Sequence, residues 1–511
     1  MNQLYSIRLP FDHSDEDFFE ELKKIGLDKS NYFLTKKSLD ARNKNSIFSI
    51  YTISKEKPGM QYDFKEVTKS SKYSPLIVGC GPAGIFTAYW LSLHGIASTI
   101  IEQGDCINDR IKKIARFIKT GELDERSNVC FGAGGAGTFS DGKLFTGIKS
   151  DKIHFVLETF VKFGAPKEIL YDSHPHIGSN KLREVINNIL SYLENSGTKI
   201  VFQTKLTDFE FLNEKANKKI IKVISDKGEF VTDTVFLATG HSAHDIFHKL
   251  KDLKVSMEFK PFAVGLRIEH KSELIDRIQY GKFAGHKKLP HATYKLAHTW
   301  KDQNRGVYSF CMCPGGYIVN SSTENGKMVC NGMSNSRREG KFSNSAIVVN
   351  ILEEDIAGDD VFKGLKFQNT LEKKFAGSVN KDGSSHVLPV MKVVDFIDRK
   401  KTASVLETGI IGKYSTYPLH ELLPDFIYKS IVDGLEIFNR QMRGFISPEA
   451  IFAGIETRTS SPVRIVRDRE TYQSINTQGL YPIGEGAGYA GGITSSSIDG
   501  INAACAYIHA R

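Results

Sequence analysis

The chain has no run of about 18 apolar residues, so its sequence predicts no membrane span. The opening residues, MNQLYSIRLPFDHSDEDFFEE, lack an apolar segment after a basic start; this predicts no secretory leader and a cytoplasmic location. Cysteine is scarce, at seven in 511 residues, odd in number and mostly set inside apolar runs. That usage argues against a disulfide framework and for reduced thiols. There is no CxxC…CxxC and no HExxH, so no metal site is expected. Internal repeats and low-complexity tracts are also lacking. Neither sign of charge dominates: 68 Lys and Arg against 59 Asp and Glu give +9, with the lysines scattered. Such a balance permits anionic ligands without demanding nucleic acid. What remains is an ordinary globular composition, 40% hydrophobic and 25% charged, long enough for two or three domains.

One stretch organises the rest. Residues 74–102 read SPLIVGCGPAGIFTAYWLSLHGIASTIIE. Leu76, Ile77 and Val78 form a short apolar run that predicts a buried parallel strand. It leads into a GxGxxG made by Gly79, Gly81 and Gly84, with Cys80, Pro82 and Ala83 between them. An apolar helical run follows, then a second β-rich run ending on Glu102. In this order the glycines serve a tight turn, a close approach of backbone to pyrophosphate, and close helix–strand contact. The helix N-terminus faces phosphates, and the acid accepts hydrogen bonds from a ribose.

Residues 1–70 predict a small α/β module of ferredoxin-like type. Its expected parts are a strand at 4–9, a helix at 14–25 capped by Ser14, and strands at 33–42 and 47–54. Residues 55–72 are polar and punctuated by proline and glycine, and read as a linker. After Glu102 come Gln103 and, further on, Arg110. Flavoproteins often place an arginine here to neutralise phosphate charge; the other reading is a solvated helix face.

The segment 128–144, NVCFGAGGAGTFSDGKL, contains a second formal GxGxxG at Gly132, Gly134 and Gly137. No β-rich run precedes it and TFSDGKL starts a helix poorly, so it does not predict a second nucleotide unit. Gly134, Gly135, Ala136, Gly137 and Thr138 instead suggest backbone laid against a flat ligand, with Lys143 close by. His174 and His176 suit acid/base work or hydrogen-bonded turns, ahead of a helix from 181 with Ser179 as its cap. Strands at 199–203, 206–211, 220–225 and 229–231 read as a small meander. A buried strand then ends in Ala238-Thr239-Gly240, a pattern that passes beside a bound dinucleotide.

The texture changes from about 260 to 445. An alternating strand at 262–268, further strands at 307–313, 316–320 and 328–331, and helices near 367–375 and 421–440 predict an inserted, substrate-facing domain. Cys311 and Cys313 would share one face of a strand. The short spacing strains a disulfide, so two buried structural thiols are expected rather than a redox pair. Residues 331–338 are polar and suit either a pocket wall or a solvated loop. The chain then returns to the first domain. Residues 454–464, GIETRTSSPVR, are dense in hydrogen-bonding groups, Arg458 and Arg464 among them. Next, a strand ends on Gly484-Glu485, where an acid suits a ribityl hydroxyl. Gly491, Gly492, Ile493 and Thr494 open a final helix whose positive end suits the edge of a reduced flavin. This late element is what favours FAD over NAD.

Together these motifs resemble those of the glutathione-reductase-like FAD superfamily. More narrowly, KSLDAR, GGAGTFSDGKL, HPHIG, FCMCPGG, NGMS, SSPVR and GEGAGYAGGI resemble a bacterial family of FAD-dependent dehydrogenases, or NAD(P)/FAD-dependent oxidoreductases, over nearly the whole chain. The resemblance implies an α/β fold with a GR2-type Rossmann-like FAD-binding domain at 71–262 and 446–511. An α+β substrate domain would be inserted at 263–445. It implies non-covalent FAD held by Gly79, Gly81, Ala83, Gly84, Glu102, Arg110, Leu206, Gly484 and Glu485, with Gly492 to Thr494 near the ring.

The expected activity is hydride transfer through flavin N5 to or from a small molecule. NAD(P)H would be a transient donor, since no second nucleotide motif is present. Lys143, His176, Arg458 and Arg464 are the candidates for substrate binding or proton transfer. The rival from another class is a flavin-containing RNA-binding or tRNA-modifying protein, against which stands the lack of a basic stripe or aromatic RNP-like strand. A flavin-binding protein without turnover is a third reading.

Overall fold

The computed structural model describes residues 3–29, 31–60, 62–64, 73–214, 217–405 and 407–510. Much of the linker expected at 55–72 lies outside them. At the centre is a five-stranded parallel sheet. Its strands run Leu480–Pro482, Val235–Leu237, Leu76–Val78, Thr99–Ile101 and Lys199–Val201 across the sheet. All are three residues long; Leu480–Pro482, Val235–Leu237 and Leu76–Val78 are buried throughout, as strands covered on both faces require, while the edge strand Lys199–Val201 is partly exposed. One face is covered by the helices Pro82–Leu93, Lys152–Lys162, Ser179–Asn195 and Ile493–His509, around Phe86, Phe160, Ile189 and Ile501. The other face is covered by the meander Leu206–Glu214, Asn217–Ser225 and Gly228–Val231 and by the helix His244–Asp252. The strand expected first in that meander, at 199–203, belongs instead to the parallel sheet, where Lys199–Val201 pairs with Thr99–Ile101.

The second domain is a seven-stranded, mostly antiparallel sheet ordered Ala297–Trp300, Arg305–Cys313, Phe342–Ile351, Phe262–Lys271, Ile451–Glu456, Val387–Lys392 and Lys413–Thr416. Helices Lys363–Val379 and Asp425–Gln441 close its core. The sequence reading returned the chain to the first domain at 446. The sheet places 451–456 inside the second domain, because Ile451–Glu456 pairs with Phe262–Lys271 on one side and Val387–Lys392 on the other.

The N-terminal module contains, among the described residues, three antiparallel strands and one helix, Asp15–Lys24. A ferredoxin-like unit would add a strand and a helix. Ser14 caps the helix as expected: its side chain accepts from Asp17 N–H at 3.2 Å, and the Asp17 carboxylate accepts from Ser14 N–H at 2.8 Å. Phe11 and Ile47 join the core of the second domain, and the Lys37 N–H donates to Tyr171 O at 2.6 Å on the first. The module thereby clamps both domains.

Glu269, on the central strand Phe262–Lys271, is 2% exposed. Burial pushes its carboxyl up to about 7, although Thr408 Oγ1 (2.6 Å) and Gly409 N–H (2.9 Å) donate to it. A carboxyl held more tightly protonated in the fold than in the open chain lends stability below its unfolded pKa, and that contribution is lost as pH rises through 7. Glu269→Gln is permanently neutral. It should therefore melt above wild type at pH 8, by the equivalent of roughly 2 kcal/mol, with the gap closing towards pH 5. Calorimetry at the two pH values checks this; an equal gap at both would contradict it.

Candidate active site

A cleft of about 400 Å³ runs from the parallel sheet to the edge of the seven-stranded one. Its floor is the turn after Leu76–Val78. Gly79 has φ +109°, and a Cβ there would stand 2.4 Å from Ala238 O. At Gly84 a Cβ would stand 2.0 Å from Gly79 O, so this glycine sets the close approach of helix and strand. Gly81 differs: its nearest neighbour to a Cβ is Gly135 Cα at 3.8 Å, and the position opens into the cleft. Two helices start at the cleft, Pro82–Leu93 after Gly81 and Ile493–His509 after Gly492, and neither has a side-chain cap. Bare N–H groups and two positive dipole ends therefore meet in one cavity. Gly491 has open space where a Cβ would stand.

Two carboxylates sit at separate points of the wall. Glu102 accepts backbone N–H groups from Cys80 (2.8 Å), Gly104 (2.9 Å) and Gly132 (3.1 Å), which fix its orientation. Glu485 is a quarter exposed, towards the cleft, and burial pushes its carboxyl up to about 7. His241 Nε2 is 3.8 Å away and is held neutral, its pKa lowered to about 3 by burial and by the neighbouring Arg458. A glycine cradle, two uncapped helix starts and one acid on each side form a donor and acceptor set that fits a dinucleotide with a pyrophosphate centre. Where FAD binds, Gly81 to Ala83 and Gly492 would hold its charged and ring-edge groups, and Glu102 and Glu485 its hydroxyls.

The structure brings most of the sequence-predicted residues to this cleft. Gly79, Gly81, Pro82, Ala83, Glu102, Gln103, Gly135, Ala136, Gly137, Leu206, Thr239, Gly240, Gly484, Glu485, Gly491, Gly492 and Ile493 line it, as do Lys143 and Arg458. Others stand behind the wall. Gly84 serves helix contact. Gly134 N–H donates to Cys80 O at 2.7 Å, and buried Thr138 donates to Ala133 O at 3.4 Å. Thr494 Oγ1 donates to Leu144 O at 2.7 Å, tying the last helix to the segment that carries Lys143.

Arg110 departs from the expectation most clearly. It is fully buried and does not line the cleft. Its guanidinium donates to the carbonyls of Asn128 (2.8 Å), Val129 (2.8 Å), Ala133 (2.7 Å) and Gly132 (3.4 Å), so four of its five N–H groups are taken up inside the wall. It builds the loop that forms the wall.

The predicted chemical residues divide in the same way. His176 is outside the cleft. Its Nε2 is 3.1 Å from Ser336 O, and its backbone pairs with Lys143 and so places that lysine. Arg464 faces outward, bonded to Glu258 at 2.8 Å. Arg458 reaches the cleft with its donors in use, on Glu372 (3.1 and 2.9 Å), Ser242 (3.0 Å) and Thr323 (2.8 Å). Ser179 is the first helical residue rather than the cap. Gly178, at φ +81°, takes the cap position, because a Cβ there would strike Ser336 N.

Lys143 lines the cleft together with Lys205 and Arg458, and its Nζ is 3.2 Å from Asp141 Oδ2. Burial opposes its charge, but Cys311, Cys313 and Asp141 around it raise its pKa, so it remains an ammonium. Asp141 is buried too. Lys143 and Arg338 overcome that burial and hold its carboxyl well below the usual range. Sequence reasoning missed Asp141, Cys311 and Glu456 as cleft residues and left Asn331 open. The signal for Asp141 was present in SDGKL; Cys311 reads as core until its strand is seen to bulge.

The family described as FAD-dependent protein, C-terminal domain-like, matches residues 261–459, which is the second domain with 451–456 included. Among solved structures, glycine oxidase from Bacillus cereus is similar over 86% of this chain and 95% of its own, at 13% identity and a TM-score of 0.32. CtdE in complex with FAD is similar over 86% and 84%, at 12% identity and a TM-score of 0.30. A Clostridium beijerinckii protein described as uncharacterized is 39% identical over 508 residues, covering 94% of this chain and 93% of that one. The chain belongs to one family with that Clostridium protein, its second domain matches the family described as FAD-dependent protein, C-terminal domain-like, and its cofactor is FAD.

Proposed function

We propose that this FAD-dependent, oxidoreductase-like protein moves a hydride between its flavin and a small molecule bound at the second-domain end of the cleft. One observation carries the reading: a single cleft joins the glycine cradle to a wall of polar and reactive side chains, Lys143, Asn331, Cys311 and Glu456. When bound, FAD supplies the hydride chemistry at N5. The protein's own groups do the rest. Lys143, kept protonated, acts as a fixed positive charge for a substrate oxyanion or carboxylate rather than as a base. Glu485, with its carboxyl near 7, is the group best placed in pKa to hold or release a proton. Phe310 and Ile493 supply apolar wall that excludes water.

NAD(P)H fits as a transient donor. The parallel sheet's strand order supports the glutathione-reductase-like arrangement, and the free cysteines support a cytoplasmic dehydrogenase or reductase. The test is anaerobic mixing of the purified flavoprotein with NADPH and then NADH, following the oxidised-flavin absorbance. Bleaching within seconds supports nicotinamide-fed hydride transfer. A band that resists both nucleotides but bleaches with dithionite removes the nicotinamide donor from the reading.

A further inference from the structure

The strand Arg305–Cys313 slips against its partner between Phe310 and Cys313. Phe310 faces Ala346 and Cys313 faces Asn344, three steps on one strand against two on the other. The extra residue is a bulge. Cys311 lies in it with φ +47°, a left-handed conformation uncommon for a non-glycine residue. The outcome is that both thiols meet one cation: Lys143 Nζ is 3.7 Å from Cys311 Sγ and 3.5 Å from Cys313 Sγ. Arg267 stands behind them, fully buried, donating to Cys311 O at 3.3 Å and to Glu456 at 3.0 Å. Cys311 is part-exposed and lines the cleft, whereas Cys313 is fully buried behind it. Two merely structural thiols need neither the bulge nor the ammonium.

We propose that Cys311 and Cys313 form a dithiol–disulfide couple acting on a low-molecular-weight disulfide, with Cys311 attacking and Cys313 resolving. This rests on the flavin reading above for its electron source. Cys311 thiolate attacks one sulfur of R–S–S–R; that bond breaks, a Cys311–S–S–R bond forms, and RS⁻ leaves and takes a proton. Cys313 then loses its proton and attacks Cys311 sulfur. The mixed bond breaks, the Cys311–Cys313 bond forms, and the second RS⁻ leaves as thiol. The substrate has gained two electrons and the protein dithiol has lost them. The Cys311–Cys313 bond is then broken by two electrons, which bound reduced FAD would supply as a hydride equivalent, and with one proton from solvent both thiols are restored.

The surroundings suit this division of work. The Cys313 thiol donates to the Cys311 carbonyl at 3.3 Å, and the neighbouring Cys313, Lys143 and Arg267 together hold the Cys311 thiol well below the ordinary thiol range against its burial. The neighbouring Cys311 and its own burial hold Cys313 well above that range. Asp141, Glu456 and Glu485 are the acids that face the pair. A disulfide closed over one residue is strained, and strained bonds are the readily reduced, catalytic ones. Cys311 opens into a cleft rather than onto a surface, which selects a small disulfide over a folded protein.

The experiment treats the purified holoprotein with 2,2′-dithiodipyridine across pH 5–9, reading thiopyridone release and peptide masses. Wild type is expected to release two equivalents in one fast phase and to yield a 311–313 peptide two hydrogens lighter. Cys313→Ser should release one equivalent and keep a mixed disulfide on Cys311. Cys311→Ser should lose the fast phase. At pH 6 the fast phase should run about 10-fold faster than an ordinary thiol, the extra thiolate outweighing its lower nucleophilicity. Lys143→Met should move its pH inflection upward. A mixed disulfide that persists on Cys311 in wild type would overturn the proposal, as would a Cys311 no faster than Cys106 or Cys505.

The oxidised protein is then photoreduced anaerobically. Return of the oxidised-flavin band together with two free thiols supports the couple, and a disulfide that persists beside reduced flavin overturns it. A protein that proves colourless fails the cofactor reading instead, and is distinguished because thiopyridone release needs no flavin.

Discussion

Gly81→Val is expected to yield a folded protein that has lost FAD. The backbone at Gly81, φ −86° and ψ −176°, is extended and open to any residue. Its Cβ would meet only Gly135 Cα, at 3.8 Å. The cost to the fold is that of a poorer helix cap, about 1 kcal/mol. The valine methyls would occupy the space between the Gly81 and Gly135 backbones that a pyrophosphate must approach. A fall in FAD affinity of at least ~100-fold follows, about 2.7 kcal/mol. Flavin content, far-ultraviolet circular dichroism and the melting midpoint measured together check this; a Gly81→Val protein that purifies with full flavin would sink it. Gly79 and Gly84 cannot serve the same test. A side chain at either position strikes backbone at 2.4 or 2.0 Å, so the fold fails before the cofactor does.

The largest stability effect is expected at Arg110. Arg110→Met removes a guanidinium that satisfies the carbonyls of Asn128, Val129 and Ala133 inside the wall. The carbonyls of Asn128 and Val129 then lack donors and Ala133 O keeps only the long bond from Thr138 (3.4 Å), at about 1–3 kcal/mol for each carbonyl before relaxation and a net loss of roughly 4 kcal/mol. For a chain of this length the melting midpoint should fall by roughly 4 °C. Flavin should loosen as well, because Cys130 and Phe131 of the same loop line the cleft. Arg110→Lys should recover only part of the loss, since an ammonium cannot reproduce three donors in one plane. An unchanged melting midpoint in Arg110→Met would contradict this account and restore the phosphate role.

These two residues also show what could be read from the chain before its fold. The 74–102 stretch was legible because its chemistry is local: strand, turn, helix and acid follow one another, and each glycine's task is set by its neighbours. The start of the last helix, at 493, was legible for the same reason. Arg110 was not. Whether an arginine on a helix meets phosphate or carbonyl depends on a loop 18 to 23 residues away folding back over it. The domain boundary near 446 failed similarly, because only pairing with Phe262–Lys271 and Val387–Lys392 shows that Ile451–Glu456 is a central strand. Cys311 and Cys313 followed strand alternation until the bulge shifted them, and no spacing rule announces a bulge. The RNA-binding alternative gains nothing from the matched family or from the cleft.

The most direct test of the central claim is a titration of the deflavinated protein with FAD, following flavin fluorescence and the melting midpoint together. The account predicts one saturable FAD per chain, with the midpoint rising as the cleft fills. A protein that leaves FAD free in solution, and whose melting is indifferent to it, would contradict the account.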